Sequence, residues 1–249
     1  MNFFARGKAS VKDQIMVDRP RPVVEEVPSL SPDDPVHSLL HQQLPQTAPP
    51  PVVTNLSPPG DPRIALVVDN LVTPQECMAL IQNTERLGYS AALLNVGGGL
   101  QLLATDVRKS SRRVVDSQPL ASALFQRVAS YVPAIPGRNI VGLNERLRFL
   151  RYDKGDTFRP HKDGNYVRPD GSEHSHLTLQ LYLNDDFTGG ATTMWFDDRV
   201  KKATPGERQD GVVPVTGRIA IFDHAILHEG AIVDQGIKYS MRTDIMYSA

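Results

Sequence analysis

NERLRFLRYDKGDTFRPHKDGNYVRPDGSEHSHLTLQLYL, residues 144–183, decides how the rest of the chain is read. Arg146–Leu150 with Tyr152 alternates polar and apolar residues, and so does His176–Leu183. Successive side chains of an extended chain point to opposite faces, so each run predicts a strand with one core face. Gly, Asp and Pro punctuate the segment between them, which carries His161-Lys162-Asp163. The same alternation returns at Ala191–Phe196, Val212–Val215, Arg218–Phe222 and Lys238–Tyr247. Many short strands separated by turn residues predict a β-sandwich or barrel.

Upstream, the pattern changes. Ile64–Val68 is a β-type run. Thr73-Pro74-Gln75-Glu76 is a capping box with proline at the first helical position, so a helix starts there. Met78, Leu80, Ile81 and Leu87 give it one apolar face, and Gly88 ends it. A second helix fits Ser117–Tyr131, with Leu120, Leu124 and Val128 on one stripe. The fold class is therefore α+β, a β-rich core with supporting N-terminal helices over residues 63–249.

Residues 1–62 read differently. Eleven of the 20 prolines lie in residues 1–60, which removes backbone donors and forbids a continuous helix or central strand there. A Pro-rich arm, disordered or extended, is expected, and it offers a site for a protein partner. One island, Pro35–Leu44, has the composition to turn helical against a partner. The first twelve residues hold Arg6, Lys8 and Lys12 and no acid. That suits an organellar transit peptide or, more plainly, a frayed end, so the expected compartment is cytoplasmic with an organellar matrix as the alternative.

Composition excludes several classes. The net charge of -1 gives no global attraction for nucleic acid or anionic membrane. A single cysteine, Cys77, excludes a disulfide scaffold and a cysteine-based zinc site. No run of 18 apolar residues exists to span a bilayer as a helix. Gly97-Gly98-Gly99 lacks the Lys-Ser/Thr that a phosphate-binding loop requires.

The histidines point toward metal chemistry. Five of the seven histidines fall between residues 161 and 228. In His161-Lys162-Asp163 an imidazole and a carboxylate share one face of an extended chain. A distant third ligand would complete a 2-His-1-carboxylate facial triad, which leaves open positions on non-haem Fe(II). Alone the triplet says little, because with seven His and 20 Asp in the chain about 0.6 such pairs arise by chance. Its setting between two strands gives it weight.

That setting resembles a family, the Fe(II)/2-oxoglutarate-dependent dioxygenases of the prolyl 4-hydroxylase-like branch. The resemblance spans about residues 63–249 and is dense from 144 onward. Asn144–Tyr152 resembles the strand entering the site, followed by Gly155-Asp156 and Arg159-Pro160-His161-Lys162-Asp163. His176–Asn184 resembles the central strand, and Gly189-Gly190-Ala191-Thr192 and Gly217–Phe222 resemble two further blocks. His228-Glu229-Gly230 with Gly236-Ile237-Lys238-Tyr239 resembles the distal segment.

The resemblance implies a double-stranded β-helix, or jelly roll. It implies Fe(II) held by His161, Asp163 and His228, with 2-oxoglutarate and O2 as co-substrates and ascorbate as an optional reductant. The distal histidine of the family pattern is the one followed by Glu-Gly, which selects His228 over His224. The family's basic residue, ten positions after that histidine, falls on Lys238 and would pair with the far carboxylate of 2-oxoglutarate. Arg242 competes for that role. At about 3.3 Å per residue it lies roughly 13 Å further along the strand, so both cannot hold one small carboxylate. Tyr152 and Tyr182 match positions that meet the co-substrate, with core packing as the alternative for each. His176 is either a pocket residue or an ordinary strand histidine. Trp195 reads as core. Arg113, in the basic run Arg108–Arg113, is a candidate on the substrate side.

The implied reaction is hydroxylation of an aliphatic C–H. The segments expected at the mouth, Asp153–Glu173 and Asp197–Gly211, sum to about -1 in charge, which argues for a peptide side chain and against nucleic acid, and the resemblance implies proline as one such side chain. A small metabolite is the alternative substrate. Two other classes stay open: a silent jelly-roll subunit with an assembly role, and a metal-binding cupin without 2-oxoglutarate.

Overall fold

The computed structural model describes residues 27, 29–40, 44, 48–97, 100–197 and 211–249. The basic first twelve residues and residues 198–210 of the expected mouth segment Asp197–Gly211 lie outside them. The helices form where the sequence caps them. Helix α1 covers Pro74–Leu87; the Thr73 hydroxyl accepts from the Glu76 N–H while the Glu76 carboxylate accepts from the Thr73 N–H. Helix α2 covers Gln118–Val128 behind the Ser117 cap, and one 3-10 turn, Ala129–Tyr131, extends it. Arg127 of α2 is buried and reaches Glu76 of α1 at 2.7 Å, which locks the two helices together.

Among the described residues the largest sheet has nine strands, all paired antiparallel. Its order begins Val52–Asn55, Ala65–Asp69, Ile219–Asp223, Glu173–Tyr182, Lys238–Ser248, and continues Arg146–Tyr152, Ser111–Asp116, Ser90–Ala91, while Ile140–Leu143 also pairs with Lys238–Ser248. A five-stranded sheet runs Gly211–Val212, Thr192–Trp195, Leu227–Gly230, Thr157–His161, Arg108–Lys109. The strands predicted by alternation are thus present, with Val212–Val215 shortened to Gly211–Val212.

Alternation builds three layers. Leu177, Leu179 and Leu181 join Leu147, Phe149, Met241 and Ile245 in a fully buried cluster with the helices. The other face of the large sheet meets the small sheet. There Tyr182, Ala220 and Phe222 pack on Met194, Val212 and Ile226. At one end of that second interface the inward residues are polar: Arg148 and Tyr152, Thr178 and Gln180, Lys238, Arg242 and Asp244. Register sets them side by side, with Lys238 opposite Tyr152, Arg242 opposite both Gln180 and Arg148, and Thr178 opposite Asp244.

Two stretches of the expected arm, residues 1–62, carry local structure. Val52–Asn55 is an edge strand on Ala65–Asp69. Pro35–Ser38 is a 3-10 turn capped by Asp34, with Val36 and Leu40 buried in the main cluster. Arg86 of α1 pairs with Asp34 at 2.8 Å, and the His37 ring meets the Ser117 cap at 2.8 Å. The island therefore docks on this chain's own helices. Proline is compatible with a turn start and an edge strand, so proline count overstated disorder here.

Candidate active site

His161 ends the Thr157–His161 strand and His228 lies in Leu227–Gly230; the two residues are direct cross-strand partners. Asp163 follows two residues later, and its N–H donates to the His224 carbonyl at 3.2 Å, pinning the His161–Asp163 segment against the turn after the Ile219–Asp223 strand. One ligand atom from each of the three residues lies within 4.8 Å of the other two. His161 Nε2 is 3.9 Å from Asp163 Oδ1, and His228 Nε2 is 3.7 Å from Oδ2.

The donors fit a metal in detail. His161 Nδ1 lies 2.8 Å from the Arg159 carbonyl and His228 Nδ1 lies 3.0 Å from the Ile226 carbonyl. A carbonyl only accepts, so both Nδ1 atoms carry the proton and both Nε2 atoms keep a free lone pair. Burial, then the neighbouring His228 ring, pushes the His161 pKa down to about 3. Burial also lowers that of His228. Burial alone would raise the Asp163 carboxyl, but the Arg242 guanidinium, with both imidazoles and the Thr178 hydroxyl, holds it well below the ordinary range. Thr178 donates to Asp163 Oδ2 at 2.5 Å and Arg242 at 3.0 Å. Among the described residues no donor holds Oδ1, which leaves that oxygen for a cation.

A cavity of about 700 Å³ opens over these residues. Lys238 lies in its wall and is 2% exposed. Its ammonium donates to the Gly190 carbonyl at 2.6 Å and sits 5.3 Å and 5.5 Å over the Tyr152 and Tyr182 rings. Among the described residues no carboxylate pairs with it, and burial pushes its pKa down to about 7. Gly190 has φ +65, and a Cβ there would meet the Phe187 ring at 2.9 Å and Lys238 Cδ at 3.2 Å, so glycine is what lets the ammonium reach that carbonyl.

Arg242 is engaged elsewhere. It bridges Asp163 and Asp244, the latter at 3.1 Å. Asp244 also meets Arg148 at 3.5 Å and His224 Nε2 at 3.6 Å. Tyr152 lines the cavity; Tyr182 is fully buried, and its hydroxyl donates to Thr192 at 2.7 Å. His176 stands outside the cavity wall, edge-on to Tyr247 at 5.5 Å. Trp195 is buried. Of the basic run, Arg108 and Arg112 face the cavity whereas Arg113 does not line it. Sequence reasoning missed Arg108, Arg112, Arg148 and Asp244. For Asp244 the signal was present: it shares the Lys238–Arg242 face by alternation.

Comparison with known proteins follows the same residues. Residues 147–243 match the model of the 2OG-Fe(II) oxygenase superfamily. A comparison with curated protein sequences gives no match. Solved structures share the fold. A prolyl hydroxylase from Trichoplax adhaerens, in complex with a hypoxia inducible factor oxygen degradation domain peptide fragment, superposes with a TM-score of 0.55 at 14% identity, covering 73% of this chain and 82% of that one. A Pseudomonas putida prolyl-4-hydroxylase gives 0.52 at 18% identity over 73% and 91%. A viral collagen prolyl hydroxylase from Paramecium Bursaria Chlorella virus-1, in its 2OG complex, gives 0.50 at 17% over 74% and 96%. At these identities the likeness is one of fold. Among the described residues no helix is long and apolar enough to cross a membrane. The matched segment contains the two histidines and the aspartate that meet at the cavity, and over residues 147–243 the chain is similar to the 2OG-Fe(II) oxygenase superfamily.

Proposed function

We propose that this protein hydroxylates an aliphatic C–H of a peptide, with proline as the residue to test first. The two sheets are read as a double-stranded β-helix whose open end is the cavity. The observation that carries the reading is the pairing of two features in one cavity: a metal-fitted His161–Asp163–His228 set and a buried ammonium, Lys238, with no protein carboxylate beside it. A buried cation without an anion is costly, and a ligand carboxylate would offset that cost.

Fe(II), held by His161, Asp163 and His228, would supply the O2 chemistry that turns 2-oxoglutarate into succinate and CO2 and oxidises the substrate. The chain's residues do the rest. Lys238, wedged between Tyr152, Tyr182 and Gly190, would hold the far carboxylate of the co-substrate. Thr178 and Arg242 fix the rotamer of Asp163 by occupying Oδ2. The Arg159 and Ile226 carbonyls fix the imidazole tautomers. The peptide reading rests on the shared fold with prolyl hydroxylases, one of them bound to a peptide.

The test is succinate release from 2-oxoglutarate by the Fe(II)-loaded protein, with and without proline peptides. Stimulated release together with a hydroxylated peptide by mass spectrometry is the expected result. Stimulation by a small metabolite alone would replace the peptide, and no 2-oxoglutarate turnover under any condition would leave the silent subunit.

A further inference from the structure

The cavity is far more cationic than the two surface segments expected at its mouth. Among the described residues six basic side chains line it, Arg108, Arg112, Arg148, Lys162, Lys238 and Arg242, against two acids, Asp163 and Asp244. On the reading above, Fe(II), Asp163, the 2-oxoglutarate dianion and Lys238 sum to zero charge. Five cations and one acid remain.

Two of the five are accounted for. Arg242 and Arg148 both turn to Asp244. Arg108 is not. Its Nε donates to Ser110 Oγ at 3.1 Å and its guanidinium lies 4.6 Å over the Phe158 ring. Among the described residues no ion pair includes it. Phe158 in turn stacks on the His161 ring with centroids 3.5 Å apart. The guanidinium is thus one aromatic ring removed from the imidazole of the triad. Burial lowers its pKa, and the nearby Arg112 and Arg242 push the same way.

The local fold fixes this direction. Arg108–Lys109 is a two-residue edge strand on Thr157–His161, with Arg108 opposite Phe158. Its neighbour Lys109 points the other way, to Asp156 at 3.2 Å. The same stretch supplies an apolar wall. Leu93, Leu94 and Val107 line the cavity next to Arg108 and Arg112, and Arg112 NH1 donates to the Leu93 carbonyl at 3.1 Å. All of these residues precede the family-matched segment 147–243.

We propose that the 93–112 wall binds the substrate and selects one that carries a carboxylate close to the C–H attacked, with Arg108 as the specificity-determining contact. The favoured source is an aspartate or glutamate of a peptide, beside an apolar residue that meets Leu93, Leu94 and Val107. This inference rests on the hydroxylase reading, so its test measures binding and turnover separately.

The probes are proline peptides with Asp or Glu one to three residues from the proline, the same peptides with Asn or Gln, a phosphoserine version, free L-proline and an oligonucleotide. Anisotropy of labelled peptides on the metal-free full chain reads binding, and mass spectrometry on the Fe(II)-loaded protein reads hydroxylation. The wild-type protein should favour acid over amide peptides by about tenfold or more in affinity or kcat/KM, an effect that weakens with salt. Arg108→Ala should bring that ratio close to one, and Arg108→Lys should retain part of it. Equal handling of acid and amide peptides by the wild type overturns the proposal without any variant. So does discrimination that survives Arg108→Ala, preference for phosphoserine over both acids, or response to the oligonucleotide alone. Preference for free L-proline keeps the carboxylate contact and moves its source to a small molecule. If acid peptides bind selectively and nothing is hydroxylated, the wall stands and the proposed reaction falls. If acid and amide peptides are hydroxylated equally, the reaction stands and the wall falls.

Discussion

The Glu173–Tyr182 and Lys238–Ser248 strands present two opposite environments. One face carries Leu177, Leu179, Leu181, Met241 and Ile245 into the helical layer. The other carries Thr178, Gln180, Lys238, Arg242 and Asp244 toward the cavity. The residues alternate, so adjacent positions in sequence serve unrelated ends. The apolar face gains free energy by leaving water. The polar face loses it, because buried charges such as Lys238 and Asp244 cost desolvation that their partners only partly return. Stability and chemistry are therefore separable one residue at a time.

The largest expected effect breaks chemistry and leaves the fold. On the proposed iron site, Asp163→Ala should lower coupled succinate formation by about 10³-fold or more, while thermal unfolding stays within a few degrees of the parent. A large drop in Tm alongside the lost activity would show that the triad is structural. The converse substitution lies on the facing side. Leu179→Ala should cost about 2–5 kcal/mol in denaturant unfolding, with kcat/KM per folded molecule near that of the parent. If activity per folded molecule also collapses, the two faces are coupled.

A third comparison lies within the polar face. Lys238→Ala should raise the KM for 2-oxoglutarate roughly 30- to 1,000-fold, the equivalent of about 2–4 kcal/mol. Arg242→Ala should act mainly on kcat and metal affinity, because its partners are Asp163 and Asp244. A larger KM effect at Arg242 reverses the two roles. The smallest effect is in pH. Lys238 titrates near 7 without ligand, yet it must be charged to hold a carboxylate. Below pH 7 it is already charged, and above it the ligand must recruit a proton. Affinity for 2-oxoglutarate should therefore fall as pH rises past 7, by at most about tenfold per unit, with proton uptake visible by calorimetry in buffers of different ionisation enthalpy. Stability moves the other way. Between about 7 and 10.5 the unfolded chain binds a proton that the folded chain does not, so the ligand-free fold gains stability as pH rises. Flat ligand affinity from pH 6.5 to 9 would contradict the depressed ammonium.

Much of this was legible in sequence, for physical reasons. Alternation is local, so Arg146–Tyr152 and His176–Leu183 show their faces without knowledge of their neighbours. His161, Asp163, His228 and Lys238 were legible because their spacing along the chain resembles a known pattern. The arginines were not. Arg108 lies about 50 residues from its cross-strand partner Phe158, and nothing in either stretch encodes that pairing. Net charge over surface segments also left the cavity's own charge unseen, because the cavity draws its residues from strands rather than from loops alone. In the N-terminal segment proline density obscured Val36 and Leu40, four residues apart on one side of a turn. Arg199, Lys201, Lys202 and Arg208 of the expected mouth lie outside the described residues.

The place of Lys238–Ser248 in the large sheet has a consequence for how the chain folds. This strand follows every other described strand in sequence, yet it lies between Glu173–Tyr182 and Arg146–Tyr152. During synthesis those two neighbours emerge first and wait with open hydrogen-bonding edges until it arrives. Contacts of this kind close long loops, which slows folding and exposes strand edges to other chains in the meantime. The same insertion delivers Lys238, Arg242 and Asp244, so the cavity and the sheet are completed in a single late event. A nascent chain short of that strand has neither.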